Sequence, residues 1–328
     1  MSTLISIVVP ALNERENIDV LEKELTDSLE DQPYDFEFIV IDNGSTDGTD
    51  AAVKEICRRD RRWRYVRLSR NFGVDASITA GYSLASGDAI VVLYSDLQDP
   101  PQLIPEFLAK WREGYDVVYG VRTVRPGDAR WRNLAVKIVY RVVSALADVP
   151  IPKNAGDFRL IGRPVRDALE SCNESNRYMR GLIAWLGFRQ TGIEYERRPR
   201  TAGESKAPIG DLVVFALNAF TSFSVKPLRL FSLFGFGLVA ISLLAVPVYA
   251  VLYLTGDPPP GITTLIVLAL LGIGINSLGI GFLGEYLGRT YEETKRRPLY
   301  VIADSMNMGG RVPSRPATEP EGINAEGF

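Results

Sequence analysis

From the N-terminus, short apolar runs alternate with amphipathic stretches for about 120 residues. LISIVV (4–9), FEFIVI (36–41), YVRLS (65–69), AIVVLY (89–94) and DVVYGVR (116–122) have the length and β-branched content of strands. Residues 15–30, 47–59 and 75–86 between them read as helices. Strands alternating with helices predict an α/β fold with a doubly wound, mostly parallel sheet. Such sheets bind ligands beyond the C-terminal ends of their strands.

Further on the pattern changes character. Residues 230–284 contain one charged side chain, Asp257. The uncharged runs 230–254 and 262–284 are each long enough to cross a hydrocarbon core of ~30 Å, which predicts two transmembrane helices. The loop between them, TGDPPPG, has no base. Lys226 and Arg229 precede the pair, and Arg289, Lys295, Arg296 and Arg297 follow it. The positive-inside rule then places both termini in the cytoplasm, with the short loop outward. Residues 207–228 have apolar positions at three- and four-residue spacing, as in an amphipathic helix lying on a bilayer. The expected organisation is a cytosolic domain over 1–206, a juxtamembrane helix over 207–228, two spans within 229–288 and a cytosolic tail over 289–328. The tail is expected to be disordered after about Asp304, where Gly, Pro and small polar residues dominate. Residues 4–9 are too short and too poorly flanked for a signal peptide, so the soluble domain is expected to stay inside, at the cytoplasmic (inner) membrane. Glycines in the second span permit close helix packing, and a homo-oligomer is expected.

Composition narrows the chemistry. The net charge is −3, which gives no footprint for nucleic acid. There is no histidine, so Ser-His-Asp triads and His-metal sites are excluded. Cys57 and Cys172 form neither a disulfide framework nor a metal spacing. The soluble part has no G-x-G-x-x-G and no Walker motif. The strand ends instead carry Pro10-Ala11-Leu12-Asn13-Glu14, Asp42-Asn43-Gly44-Ser45, Ser95-Asp96-Leu97-Gln98-Asp99 and Gly120-Val121-Arg122. Asp96, Gln98 and Asp99 are hard oxygen ligands suited to Mg2+ or Mn2+ beside a diphosphate. Asp42 and Glu14 are acceptors for a base or ribose. Taken singly, DNGSTDGT also reads as a turn with a helix cap, and DPP as a helix start.

In order along the chain, PALNE (10–14), DNGSTDGT (42–49), SRNFG (69–73), AGYSLASGD (80–88), DLQDPP (96–101), GVR (120–122), GDFRL (156–160) and AGESK (202–206) resemble the family 2 inverting glycosyltransferases of GT-A fold. More narrowly, they are similar to the polyprenyl-phosphate glycosyltransferases, which include dolichol-phosphate mannose synthase-like enzymes. The resemblance implies Pro10, Ala11, Asn13, Glu14, Asp42, Asn71 and Asp96 around the sugar donor. It implies Asp96 and Gln98, with Asp99 as a further candidate, for Mg2+ or Mn2+. It sets Asp157 beside the sugar, either as a base or as an orienting group. Arg122 would meet the acceptor phosphate, with Arg132, Lys137 and Lys206 as further cations. The implied reaction moves a hexose from UDP-glucose, or alternatively GDP-mannose, to polyprenyl phosphate at the lipid bilayer. A phosphate monoester is already largely anionic at neutral pH, so the attacking oxygen needs no strong base. Relatives often carry Asp where this chain has Tyr94, Asp where it has Asn43, and a charged residue where it has Val74. Two rival readings are a polysaccharide synthase, whose Q-x-x-R-W motif is missing here, and a catalytically weak or dead sugar-nucleotide-binding scaffold.

Overall fold

The computed structural model describes residues 2–123, 155–172, 174, 177–198, 226–255 and 261–309. Strands β1 (Leu4–Ala11), β2 (Asp35–Asp42), β3 (Trp63–Leu68), β4 (Ala89–Val92) and β5 (Val117–Arg122) fall where the apolar runs predict them. Helices α1 (Arg15–Leu29), α2 (Thr49–Arg59) and α3 (Val74–Leu84) connect the first four, and α4 (Ile104–Arg112) precedes β5. Three further strands, β6 (Ala155–Gly162), β7 (Gln190–Tyr195) and β8 (Ile302–Met306), were not expected. Helices α5 (Arg163–Ser171) and α6 (Met179–Trp185) separate β6 from β7.

The strands form one sheet in the order β7-β5-β6-β4-β1-β2-β3-β8. The β1–β2, β2–β3, β1–β4 and β5–β7 pairs are parallel. The β4–β6, β5–β6 and β3–β8 pairs are antiparallel. The sheet is therefore mixed, with four of its seven pairs parallel and the antiparallel ones all made by β6 and β8. Successive side chains alternate across it. Ile5, Ile7 and Val9 join Phe38, Val40 and Trp63 under α1, α2 and α4. Val8, Ile39, Ile41 and Val66 meet α3, α5 and α6 on the other face. Helix α3 lies close against β1, since a Cβ on Gly81 would come 2.1 Å from Val8 Cγ1. That close approach sets the first turn of α3 at the rim of the sheet.

Helices α7 (Lys226–Leu254) and α8 (Ile262–Thr294) follow. They touch at Gly279, where an added Cβ would collide with the Phe231 ring at 2.2 Å. Leu233, Phe236, Ile241, Leu244, Leu265 and Ile280 are each more than three-fifths exposed. Over the described residues alone, no helix is long and apolar enough to cross a membrane. The sequence over 230–254 and 262–284 is uncharged throughout. The expected amphipathic helix over 207–228 lies outside the described residues up to position 225.

The tail is ordered past Asp304, as far as Gly309, and residues 310–328 lie outside the described residues. After α8 the chain returns to the sheet, and β8 covers the edge of β3. Lys54 pairs with Asp304 at 2.6 Å. Asn307, at φ 62, donates from Nδ2 to the carbonyls of Cys57 (2.8 Å) and Trp63 (2.9 Å). Met308 is buried.

Candidate active site

The sheet reverses direction of growth at β1, with β2 on one side and β4 on the other. Backbone ends splay at such a switch point and leave a crevice. A cavity of about 390 Å3 opens there, lined by Pro10, Ala11, Glu14, Asn43, Asn71, Tyr94, Asp96 and Arg197, among others. Ser95 Oγ donates to the Pro10 carbonyl at 3.1 Å and ties the two strand ends together.

The donor-side residues divide into two groups. Pro10, Ala11, Glu14, Asn71 and Asp96 line the cavity as expected. Asn13 and Asp42 do not figure among its lining residues. Asn13, at φ 56, is stapled to the next loop: its backbone N–H donates to Ser45 Oγ at 3.0 Å and its side-chain Oδ1 accepts from the Thr46 N–H at 2.9 Å. Asp42 is fully buried. Its Oδ1 accepts from the Ser45 N–H (2.7 Å) and its Oδ2 from the Tyr65 hydroxyl (2.8 Å), so it builds the turn rather than facing a ligand. Gly44, at φ 85, permits that turn, and a Cβ there would press on the Arg70 backbone at 3.0 Å.

Asn43 explains its own departure from the acidic pattern. Its Nδ2 donates to Asn71 Oδ1 (2.9 Å) and to the Gly73 carbonyl (3.1 Å), and its Oδ1 accepts from the Phe72 N–H (2.9 Å). A carboxylate has no donor for the first two bonds. Asn43 thus shapes the SRNFG loop that forms one wall of the cavity.

Asp96 and Gln98 lie on the turn after β4, where Asp96 Oδ1 accepts from the Gln98 N–H at 3.2 Å. Arg197 approaches Asp96 Oδ2 at 3.4 Å and Asp99 Oδ1 at 3.5 Å. Asp99 is fully buried, accepts a short hydrogen bond from the Tyr195 hydroxyl, and lies 3.6 Å from Arg122. Asp99 is not among the residues that line the cavity, and its carboxylate lies within ion-pair distance of two arginines. Among the described residues there is no cluster of three or more His, Cys, Asp or Glu side chains placed to hold a metal. The donor set fits a divalent ion held through Asp96 and the oxygens of a bound diphosphate, the sparse coordination that Mg2+ accepts. It does not fit an ion caged by protein alone.

Asp157 and Arg159 are two apart on β6 and so share one face of the sheet; both are buried, with Arg159 Nη2 3.9 Å from Asp157 Oδ1. Arg180, from α6, donates Nε to Asp157 Oδ1 (2.7 Å) and Nη2 to Oδ2 (2.6 Å). The Tyr94 hydroxyl donates to Oδ2 at 2.8 Å. Burial pushes the Asp157 carboxyl up, but the hydrogen bonds and charge of Arg180, with Arg159 and Tyr94, outweigh it and hold the pKa at about 2. Of the two roles open in the sequence, base and orienting group, this favours the second. Burial and the neighbouring Asp157 charge push the Tyr94 phenol up, so it stays a donor. Asp75, in the first turn of α3, is pushed up to about 6 by burial and by Asp157.

Arg122 donates Nε to the Tyr195 hydroxyl at 3.2 Å and flanks Gly156, beside Asp157. Arg132, Lys137 and Lys206 lie outside the described residues. Arg180, Asp75, Arg197 and Tyr195 are the participants that sequence reasoning missed. Arg180 pairs across 23 positions and Arg197 across about 100, so no spacing announces them.

Residues 6–171 match the family described as "Glycosyl transferase family 2". The uncharacterized glycosyltransferase YkcC of Bacillus subtilis (strain 168) is 41% identical over 92% of this chain and 94% of its own length. This chain belongs to glycosyl transferase family 2. It is a glycosyltransferase by that membership, and the cavity at the switch point is where the family's transfer chemistry would sit. The SfII prophage-derived bactoprenol glucosyl transferase of Shigella flexneri is 37% identical over 92% of this chain and 98% of its own. Among solved structures, Mycobacterium tuberculosis glucosyl-3-phosphoglycerate synthase aligns with a TM-score of 0.45 at 19% identity, over 67% of this chain and 78% of that one.

Proposed function

We propose that this protein transfers glucose from UDP-glucose to a polyprenyl phosphate with inversion, at a membrane surface. The observation that carries the reading is the 37% identity to a bactoprenol glucosyl transferase, which runs through 98% of that protein. The alignment is too long to cover the sheet alone and takes in the helix pair.

In this reading the nucleotide lies along Pro10, Ala11, Glu14 and Asn71. Arg197 and Asp96 meet the diphosphate, with Gln98 beside it. A divalent ion at Asp96, either Mg2+ or Mn2+, would supply positive charge to the departing diphosphate. The acceptor phosphate brings its own anionic oxygen, which forms the new bond to the anomeric carbon. The bond to the nucleoside diphosphate breaks with its electron pair, and the configuration inverts. Asp157, ionised and doubly paired, fixes Arg180 at the sugar end rather than taking a proton. Arg122, held by Tyr195 and Asp99, adds a cation toward the acceptor.

The same reading makes α7 and α8 membrane spans. Their 29 and 33 residues correspond to roughly 43 and 50 Å of helix, enough to cross with tilt. The exposed apolar side chains would then face lipid. The return of β8 to the sheet supports a hairpin whose two ends lie on the side of the catalytic domain, as the flanking bases suggest. The cytoplasmic placement of both termini is part of the proposal, and so is a homo-oligomer, for which Gly272, Gly274, Gly281 and Gly284 on α8, with nothing within 4 Å of an added Cβ, leave room for close helix packing.

A panel of labelled nucleotide sugars, offered with polyprenyl phosphate to the purified full-length protein, tests the donor. Glucose from UDP-glucose is expected in the lipid phase. Preferential transfer from GDP-mannose would replace the donor, and no transfer from any donor would favour a sugar-nucleotide-binding scaffold.

A further inference from the structure

The donor cavity and the Asp157–Arg180 pair meet at one side chain. Asp157 and Arg180 are not among the residues that line the cavity. Tyr94 does line it, and its hydroxyl donates to Asp157 Oδ2 at 2.8 Å. The pairing of β4 with β6 explains the meeting. Val92 lies opposite Arg159, and continuing that antiparallel register brings Tyr94 opposite Asp157, on the face that α3 covers. Along the chain Tyr94 directly precedes Ser95 and Asp96, so it adjoins the place proposed for the diphosphate. A sugar hanging from that diphosphate meets Tyr94 before it can meet Asp157.

Several polar groups of the wall are already engaged with one another. Asn43 donates to Asn71, Ser77 Oγ donates to the Gly73 carbonyl at 3.3 Å, and Ser95 Oγ to the Pro10 carbonyl. Tyr94 is placed differently. Its phenol keeps its proton at neutral pH, and Asp157, ionised beside Arg180, can only accept. The proton between them therefore belongs to Tyr94. A hydroxyl also holds two acceptor lone pairs, and among the described residues no group donates to those of Tyr94. We propose that Tyr94 reads the sugar of the donor: its hydroxyl oxygen accepts a hydrogen bond from a glucose hydroxyl of UDP-glucose while its proton stays on Asp157. The inference rests on the transfer reading above and adds its specificity-determining residue. The sugar hydroxyl, Tyr94, Asp157 and Arg180 then form one chain, in which each bond polarises the next. A site built to bond a substrate hydroxyl rejects a donor that lacks it.

Calorimetric titration without acceptor reads this contact apart from turnover. UDP-glucose and UDP are titrated into the full-length wild type and into Tyr94→Phe, which keeps the ring, in the same Mg2+ buffer. Analogues of UDP-glucose that each carry fluorine in place of one sugar hydroxyl follow, since fluorine cannot donate. Tyr94→Phe should bind UDP-glucose roughly fivefold to tenfold more weakly than wild type, the loss of one hydrogen bond between uncharged groups, and should bind UDP equally well. One analogue should bind wild type more weakly than UDP-glucose by a similar factor, and its fluorine should cost nothing further in Tyr94→Phe. Equal losses for UDP and UDP-glucose would overturn the proposal, because Tyr94 would then only shape the wall. Full-strength binding of UDP-glucose by Tyr94→Phe would overturn it too, as would fluorine costs that are the same in both proteins. Wild type alone also decides: if every analogue binds it as tightly as UDP-glucose, the proposal falls without any variant. If wild type binds UDP-glucose through Tyr94 yet transfers no sugar, the contact stands and the transfer reading falls. If wild type takes GDP-mannose in place of UDP-glucose, the donor named above falls, and the comparison of GDP-mannose with GDP decides Tyr94 in the same way.

Discussion

Arg180 grips Asp157 with two parallel hydrogen bonds, Nε to Oδ1 at 2.7 Å and Nη2 to Oδ2 at 2.6 Å. Fork-on-fork geometry of this kind fixes both side chains in orientation as well as charge. Removing Arg180 leaves a buried carboxylate with Tyr94 and a distant Arg159. Arg180→Ala should therefore cost about 3 kcal/mol of stability. Arg180→Lys should recover charge but not the fork, and kcat should remain low in both. Thermal melts and transfer kinetics on the same preparations check this.

The Asp157 carboxyl titrates near 2 in the folded chain, below its unfolded value of about 4. Its pairing adds stability above roughly pH 4, and that contribution is lost as pH falls toward 2. Asp157→Asn should be less stable than wild type by about 2 kcal/mol at pH 7, with the gap closing below about pH 4. Urea unfolding at several pH values measures the gap. An Asp157 acting as a base would instead put a limb near neutrality in the wild-type kcat profile, and none is expected from this residue.

Asp75 behaves oppositely. Its folded pKa of about 6 lies above the unfolded one, so its charge costs stability increasingly as pH rises to 6, and fully above it. Asp75→Asn should raise stability by ~1–2 kcal/mol at pH 7.5 and have almost no effect near pH 4. Paired melts at those two pH values decide it.

Asn43 donates twice to the SRNFG loop. Asn43→Asp places a carboxylate against the Asn71 and Gly73 oxygens. The expected outcome is a KM for UDP-glucose raised roughly tenfold, the cost of replacing buried hydrogen bonds by repulsion. An unchanged KM would remove this loop from the donor site.

Asn307 anchors the returning C-terminal strand from a left-handed backbone position. Asn307→Ala should lower stability by about 1–2 kcal/mol, through two lost hydrogen bonds and an unfavourable φ. Asn307→Gly keeps the φ and should cost less. Differential scanning calorimetry distinguishes the two.

The parts that were legible in sequence are those whose contacts are local. Strands β1 and β2 announce themselves as apolar runs because helices cover both faces of the sheet. The ends of β1 and β4 deliver Pro10, Ala11, Glu14 and Asp96 to one rim, and the order of motifs along the chain marks the family. Strand β6 was unreadable because Asp157 and Arg159 interrupt its apolar pattern, and their burial is compensated by a partner on α6. Strand β8, with Asp304 and Ser305, is too polar to read as a strand and pairs with β3 some 240 residues earlier. The family resemblance implies Asp42 at the donor, as an acceptor for a base or ribose. The Tyr65 hydroxyl, on the neighbouring strand, turns it inward. The same non-locality hid Arg197, which meets Asp96 from just beyond the end of edge strand β7.

The central claim is that Asp96 and the Asp157–Arg180 pair carry glucose onto a lipid phosphate. Its most direct test is transfer of labelled glucose from UDP-glucose into the organic phase, with wild type, Asp96→Ala and Asp157→Asn assayed in parallel and polyprenol as the phosphate-free control. Wild type with polyprenyl phosphate should yield lipid-linked glucose of inverted configuration, while polyprenol yields none and both variants lose at least ~100-fold, about 2.7 kcal/mol of transition-state stabilisation. Full transfer by both variants, or equal transfer to polyprenol, would contradict the account.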